Sequence, residues 1–412
     1  MGFQQGLSGL NAASKGLDVI GNNIANANTT GMKASRAEFA ELYASSLGFG
    51  GDSTGIGVTV NDVSQQFTQG NLSITGNDLD LAINGNGFFT LTQPDNSTAY
   101  TRDGTFGLDK NGYIVNAAGD KLMGYATDTS GNRTSTVTVP LQLPTGAASP
   151  PKASTTITIE ANLNSSAPIA SSVTPPTPIT TYGTSLLVYD QQGLTVPVGL
   201  FFSKTAANTW EVYASYNGAT PVDTGTPITF QADGTLDATN LAALNGIALH
   251  VPDPQDPTGA TLLNPQPKIA ATAATFTQYN NAFVVSKLQQ DGYQAGSLTG
   301  LKIETNGIIT ARYSNGQTQS AGQVSLANFA NVQGLSPVGG NKWVETYASG
   351  QPLLGAPGEG KLGQLKSGAL EDSNVDLTQE LVNMMTAQRA YQANAQTIKT
   401  QDQIMSTLVN LR

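Results

Sequence analysis

The chain of 412 residues begins and ends with apolar side chains repeated at alternating intervals of four and three residues. This spacing averages 3.5 residues, which is typical of helices that pack along a shared face. We therefore predict a helix within residues 1–30 that needs a partner helix. Its apolar face, here called the N-terminal stripe, comprises Phe3, Leu7, Leu10, Leu17 and Ile24, with Ser14 and Gly21 at its weak fourth and sixth places.

The C-terminal end carries a longer stripe of the same kind. Ser373 with Asp376 fits a capping box and predicts a helix from about 375 to 411. Two arrangements are open: the stripes pack between subunits, or both helices form one intramolecular hairpin. The C-terminal stripe comprises Leu377, Leu381, Met384, Tyr391, Ile398 and Met405, with polar interruptions at Gln388 and Asp402. Ile404, Leu408 and Leu411 offer a neighbouring stripe.

The N-terminal helix also carries a row of small residues at the same spacing. Glycine within a helix costs about 1 kcal/mol relative to alanine, so this helix is intrinsically weak. Small residues do allow the backbone of a neighbour to approach closely. The row comprises Gly2, Gly6, Gly9, Ala13 and Gly16.

Between the two ends the sequence favours β-structure. Residues 79–83 alternate apolar and polar side chains, and 88–91 follow an Asn-Gly turn. Proline-rich stretches at 140–151 and 252–267 mark boundaries within this β region. The predicted fold is mainly β with terminal α-helices: N- and C-terminal helices forming a coiled-coil-like inner domain, plus two β-rich domains. The predicted domains are a terminal helical assembly domain (1–30 and 370–412), linker segments (31–70 and 355–369), an inner β domain (71–145 and 287–354) and an inserted outer β domain (146–286).

Composition excludes several kinds of site. The chain has no cysteine and a single histidine, His250, so thiolate and multi-histidine metal sites are excluded. A net charge of −10, without a basic run, argues against nucleic-acid binding. Asp78 and Asp80 occupy outward strand positions rather than forming an acid/base pair. We therefore predict no catalytic, cofactor-binding or metal-binding residues.

The sequence also lacks a secretory signal peptide and an apolar run long enough for direct membrane insertion.

Motifs at both ends resemble those of a known family. Leu10–Lys33 contains Asn22, Asn23, Asn26 and Gly31, and Gly368–Gln403 contains Asn374 and Asp376. In this order the two motifs resemble the bacterial flagellar axial proteins, which include rod, hook and hook-associated subunits. Asn84–Phe89 and Val188–Asp190, with the large insert, are similar to the hook proteins of that family.

The resemblance implies a structural subunit of the flagellar hook that self-assembles into a curved helical tube. Such a tube is a universal joint that transmits torque from rod to filament. The implied location is the extracellular hook attached to the basal body, reached by type III export without a cleaved signal peptide. Implied partners are further copies of the chain, the distal rod protein, the hook cap, the hook–filament junction protein and the flagellar export apparatus. No cofactor is implied. Some hook proteins form covalent links from a cysteine, and its absence here implies a noncovalent tube.

Three other interpretations are weaker. A distal rod subunit would share both terminal motifs but would lack an insert as large as 146–286. A secreted β-rich adhesin or carbohydrate-binding module would explain the Thr- and Asn-rich strands but not the terminal stripes. A glycosidase needs a carboxylate pair, and no candidate pair is better than exposed strand residues.

Overall fold

The computed structural model describes residues 2–42, 57–144, 149–172, 178–256 and 261–410. The chain divides into two compact units. The flanking unit consists of Met1–Gly146, Gly300–Arg312 and Thr318–Arg412, and the inserted unit consists of Ala147–Thr299 and Tyr313–Gln317. The predicted fold class, mainly β with terminal helices and with one β unit inserted into another, is confirmed.

Before the insertion, the described residues of the flanking unit form one helix and ten strands. β1 and β2 pair antiparallel as a separate two-stranded sheet, so the prediction that 31–70 is only a linker is wrong for this stretch. The reason is that β1 is rich in charged side chains and gives no clear apolar alternation. Residues 43–56 of the predicted linker lie outside the described residues. The elements are α1 (Gly2–Ala25), β1 (Ser35–Leu42), β2 (Gly57–Gln65), β3 (Leu72–Ile74), β4 (Leu81–Asn84), β5 (Phe88–Thr92), β6 (Thr98–Thr101), β7 (Gly107–Leu108), β8 (Ile114–Val115), β9 (Lys121–Thr127) and β10 (Arg133–Pro140).

The inserted unit has two four-stranded sheets around one core. Trp210, Phe202 and Ile157 come from different strands of these sheets, and all three side chains are fully buried. Its elements are β11 (Thr156–Asn162), β12 (Gly183–Tyr189), β13 (Thr195–Ala206), β14 (Thr209–Tyr216), β15 (Val222–Thr229), α2 (Ala238–Gly246), β16 (Lys268–Ala270), β17 (Phe276–Thr277) and β18 (Val284–Gln290). One sheet has the order β12-β13-β14-β15, and in the other β11 pairs with β16, β17 and β18.

After the insertion the chain completes the largest sheet, in the order β19-β20-β21-β9-β5-β6-β24-β23. Phe89, Leu122 and Leu326 form part of the core beneath it. A second cluster joins Phe88, Tyr100 and Trp343. The elements are β19 (Leu298–Ile303), β20 (Ile308–Tyr313), β21 (Thr318–Val324), β22 (Leu326–Asn328), β23 (Ser336–Gly339), β24 (Lys342–Val344), β25 (Leu353–Gly355), β26 (Gln364–Ser367), β27 (Ala369–Glu371) and α3 (Leu377–Asn410).

The segment that leads into α3 is ordered, which corrects the prediction of a loose linker at 355–369. Glu359 accepts a hydrogen bond from the Ala356 N–H (2.9 Å) and contacts Arg133 (2.8 Å). β26 then pairs with β4, and β27 pairs with β3. Within this glycine-rich stretch, Gly355 belongs to β25, and Gly358 and Gly360 adopt positive φ (+82° and +59°) in the connection to β26. These strands fix the direction in which α3 begins.

Candidate self-assembly site

α1 and α3 pack against each other within one chain. A Cβ atom on Gly6 would lie 3.0 Å from Ile398 Cγ1, and one on Gly9 would lie 2.9 Å from the Asn394 amide. At the other end of α1, Asn23 donates to Glu380 (3.3 Å). Residue numbers rise along α1 as they fall along α3, so the pair is antiparallel. The small-residue row therefore lets the two helices approach closely, and the intramolecular hairpin is present.

The hairpin leaves much of the N-terminal stripe uncovered. Phe3 is 51% exposed and Leu7 is 44% exposed. Leu10, Leu17 and Ile24 are half-buried. Pairing with α3 thus covers the glycine face of α1 more fully than its apolar face.

The C-terminal stripe is also largely exposed. Leu377 and Leu381 are each 46% exposed, Tyr391 is exposed, and Met405 is 61% exposed. Met384 is half-buried. Ile398 contacts Gly6 of the same chain, so its position differs from that of the other stripe residues. The Leu408 side chain lies outside the described residues. Two further side chains of α3 that no predicted stripe included, Val382 and Met385, are also exposed, and so is Ile404 of the predicted neighbouring stripe.

Asp376 caps the start of α3. Its Oδ1 accepts hydrogen bonds from the backbone N–H groups of Thr378 (2.9 Å) and Gln379 (3.1 Å), as an N-cap residue does. The predicted capping box with Ser373 as the cap is therefore wrong by three residues. The sequence Asp-x-x-Gln at 376–379 fits an N-terminal cap as well as Ser-x-x-Asp does, and the helix begins at Leu377.

Asn374, just before this cap, joins the C-terminal segment to the N-terminal one. Its Oδ1 accepts from the Ala34 N–H (2.8 Å), and its Nδ2 donates to the Gln66 carbonyl (2.7 Å) and Thr68 Oγ1 (2.8 Å). One amide side chain thus satisfies backbone groups of two other segments. This requirement for a donor and an acceptor together explains why asparagine fits the position.

The motif asparagines at the end of α1 are also structural. Asn23 is buried and exchanges two hydrogen bonds with the backbone of Ser35 (2.8 and 2.9 Å). Asn26 Nδ2 donates to the Asn22 carbonyl (3.0 Å) and Oδ1 (3.3 Å), at the point where α1 ends. Gly31 has φ +67°, a left-handed conformation that favours glycine, and a Cβ there would lie 2.4 Å from the Asp103 nitrogen.

A buried ion cluster lies beside these asparagines. Glu371 Oε1 is 2.6 Å from Lys33 Nζ, and Glu371 Oε2 is 3.2 Å from Arg102 Nη1. Burial lowers the pKa of both cations, and the charge of Glu371 opposes that shift. No local sequence pattern predicted this cluster, although Lys33 and Glu371 lie in the two terminal motifs that resemble the family. We call Asn23, Gly31, Lys33, Arg102, Glu371 and Asn374 the junction.

Within the described ranges, no helix is long and apolar enough to cross a membrane. The same ranges contain no group of three or more His, Cys, Asp or Glu residues placed to hold a metal ion.

Comparison with known proteins identifies the family through four family models. The model of the flagellar hook protein FlgE/F/G D1 domain matches residues 82–166, and that of the flagellar basal body protein FlaE D2 domain matches 162–293. At the ends, the flagella basal body rod protein model matches 3–33, and the flagellar basal body rod FlgEFG protein C-terminal model matches 366–411.

Full-length relatives give the same result. The flagellar hook proteins FlgE of Escherichia coli and Salmonella typhimurium are each 42% identical to this chain, with 100% of both chains covered. That of Treponema pallidum is 32% identical over 99% of this chain and 98% of its own. The crystal structure of Helicobacter pylori flagellar hook protein FlgE2 matches with a TM-score of 0.54 and 16% identity, covering 73% of this chain and 100% of that one, which shows the fold alone. The chain therefore belongs to the flagellar hook protein FlgE family.

Proposed function

We propose that this chain polymerises through its paired terminal helices into a curved helical tube that acts as the universal joint between rod and filament. As a member of the hook protein family, the chain is a structural, non-catalytic subunit of the flagellar hook. In this proposal, residues 1–30 and 370–412 form the surface through which subunits assemble, and the two β regions form the rest of each subunit.

The main support for this proposal is the apolar surface of α3 that stays exposed to solvent although α3 already packs against α1. Leu377, Leu381 and Met405 are each at least 46% exposed although α3 has α1 as a partner. Apolar side chains concentrated on one exposed surface mark an interaction site, because water exposure of that area is unfavourable. Neighbouring copies would cover the stripes and so favour the polymer.

A head-to-tail contact between identical subunits gives an open helical filament unless its rotation closes a ring. The two stripes support such a contact, because both lie on the same helix pair and each keeps exposed apolar side chains within the chain. The distal rod protein, the hook cap and the hook–filament junction protein are proposed as partners at the ends of the tube. The match of rod-family models to 3–33 and 366–411 supports a similar helical surface in the rod. Export without a cleaved signal peptide is proposed because cleavage near the N-terminus would remove residues of α1 that pack against α3.

The test places a charge on the C-terminal stripe. Leu381→Asp should prevent polymerisation while the monomer keeps its fold, since a half-exposed position tolerates a polar side chain. Polymer is measured by sedimentation and electron microscopy, and monomer folding by circular dichroism. Leu194→Asp is the matched control, because Leu194 is also 46% exposed but lies in a turn of the inserted unit. Normal polymers from Leu381→Asp, or equal loss in both variants, would overturn the assignment of the stripe.

A further inference from the structure

One carboxylate in the junction contacts two buried cations. Glu371 is fully buried, Lys33 is fully buried, and the Arg102 side chain is 4% exposed. Lys33 Nζ also donates to the Thr68 carbonyl (2.8 Å), and the Gly70 N–H donates to Glu371 Oε1 (3.0 Å). The charges therefore depend on one another and on a few backbone groups rather than on water.

The three charges come from distant parts of the chain. Lys33 follows α1, Arg102 follows β6 in the β body, and Glu371 ends β27 just before α3. Glu371 is separated from Lys33 by 338 residues and from Arg102 by 269 residues. The Gly31 N–H also donates to the Glu371 carbonyl (2.8 Å). The N-terminal segment, the β body and the C-terminal segment thus meet at one residue.

Glu371 differs from Lys33 and Arg102 in the net charge that its loss would leave buried. Two cations and one carboxylate give the cluster a net charge of +1. Loss of either cation leaves a neutral pair, whereas loss of the carboxylate leaves two cations buried side by side. Burying an uncompensated charge is strongly unfavourable. Closure around Lys33 and Arg102 therefore requires Glu371 far more than it requires either cation.

We propose that Glu371 is the lock of the junction, so that the N-terminal segment closes onto the β body only when the C-terminal segment is docked. In the unfolded chain Lys33 and Arg102 are solvated, and their burial is strongly unfavourable until Glu371 has joined them. α1 and α3 are then positioned together, as one pair. This inference rests on the proposed function in one respect: it makes presentation of the assembly surface the last step in folding of the subunit.

Trypsin tests the lock directly, because it cleaves after lysine and arginine. In the full-length monomer, the bonds after Lys33 and Arg102 should be protected, and the bond after exposed Lys110 serves as an internal reference. E371Q should raise cleavage after both Lys33 and Arg102 by about 100-fold, since cleavage follows the population of the open form. Each bond is followed by mass spectrometry over the time course.

Matched variants separate the lock from general destabilisation. E359Q removes a carboxylate from the exposed pair with Arg133 (2.8 Å) and should leave both bonds protected. K33M should leave the bond after Arg102 protected within a few-fold, and R102M should do the same for Lys33. E371D, which keeps the carboxylate, should restore most of the protection. In a Trp343→Phe background, fluorescence of buried Trp210 reports whether the inserted unit stays folded in every variant.

Three results would overturn the lock: protection in E371Q equal to that of the unaltered chain, opening of only one bond, or opening by K33M as large as that by E371Q. Unfolding of the whole E371Q chain, without rescue by E371D, would also overturn it. The assay uses monomers and does not depend on polymerisation. Failure of the unaltered chain to polymerise would instead refute the proposed function and leave the protection results standing.

Discussion

The inserted unit and the terminal helix pair use apolar residues in opposite ways. Leu200, Phe202 and Trp210 of the inserted unit are completely buried in a core shared by two sheets. Leu381 and Met405 of α3 are about half exposed or more, although α3 is already paired with α1. The inserted unit is thus stabilised by a hydrophobic core that lies within the unit. The helix pair leaves much of its apolar surface exposed, where other subunits can bind it.

The junction differs from both, because it relies on polar groups. Asn23, Asn374 and Glu371 satisfy backbone groups or cations of distant segments. Hydrogen bonds and ion pairs are directional, so they fix geometry more sharply than apolar contact does. Within the flanking unit, the chain therefore joins the helix pair to the β-strands through a directional connection.

Truncation of a leucine in each region gives the largest expected difference. Leu200→Ala should destabilise the inserted unit of the monomer by about 2–5 kcal/mol, because it leaves a cavity in a closed core. Leu381→Ala should cost only about 0.5 kcal/mol in the monomer, since that side chain is already 46% exposed to water. Urea denaturation of each monomer measures both values. Equal losses would mean that Leu381 is covered within the free chain.

Glycine substitution distinguishes the junction from an ordinary turn. Gly31→Ala should cost about 2–4 kcal/mol, because it combines a left-handed backbone (φ +67°) with a Cβ 2.4 Å from the Asp103 nitrogen. Gly76→Ala has a similar φ of +76° but open space around the Cβ, and should cost about 1–2 kcal/mol. Urea denaturation of the two variants provides the comparison. If Gly31→Ala were as mild as Gly76→Ala, the junction would be loosely packed.

Local sequence patterns predicted the helices but not the junction. The alternating four-and-three spacing identified both terminal helices because helical periodicity is set by neighbouring residues. The N-terminal cap was misplaced by three residues because Ser373 and Asp376 both begin an acceptable motif. The contact between Lys33 and Glu371 joins positions 338 residues apart, and no local pattern contains that information. Stripe residues were visible as apolar, but only the structure distinguishes exposed Leu381 from Ile398, which contacts Gly6.

Acid should weaken the inserted unit through Asp291. Burial favours a higher pKa for this carboxyl, but hydrogen bonds from Thr155, Thr156 and Lys152 outweigh it and hold the pKa well below its usual range. The unfolded pKa is about 3.9, so the stabilisation is complete above that pH and is lost as pH falls below it. Because solvent screens this partly exposed group, the effect should be about 1 kcal/mol.

Urea denaturation at pH values from neutral to acid, followed by Trp210 fluorescence in a Trp343→Phe background, measures this dependence. Asp291→Asn should reduce the loss of unfolding free energy on acidification and should lower that free energy at neutral pH. The same acid slope in both proteins would assign the dependence to other carboxyls.

Substitution of two glycines of α1 has the smallest expected effect and tests whether α1 packs against α3 in the monomer. A Cβ on Gly21 would have no neighbouring atom within 4 Å, so Gly21→Ala should stabilise the helix by about 0.5–1 kcal/mol. Gly6→Ala has the same intrinsic gain, but its Cβ would lie 3.0 Å from Ile398 Cγ1, which should offset that gain. Far-UV circular dichroism of the monomers should therefore show more helix for Gly21→Ala alone. Equal gains would mean that α1 and α3 are apart in the free monomer, so that the hairpin, like the stripes, would depend on neighbouring subunits.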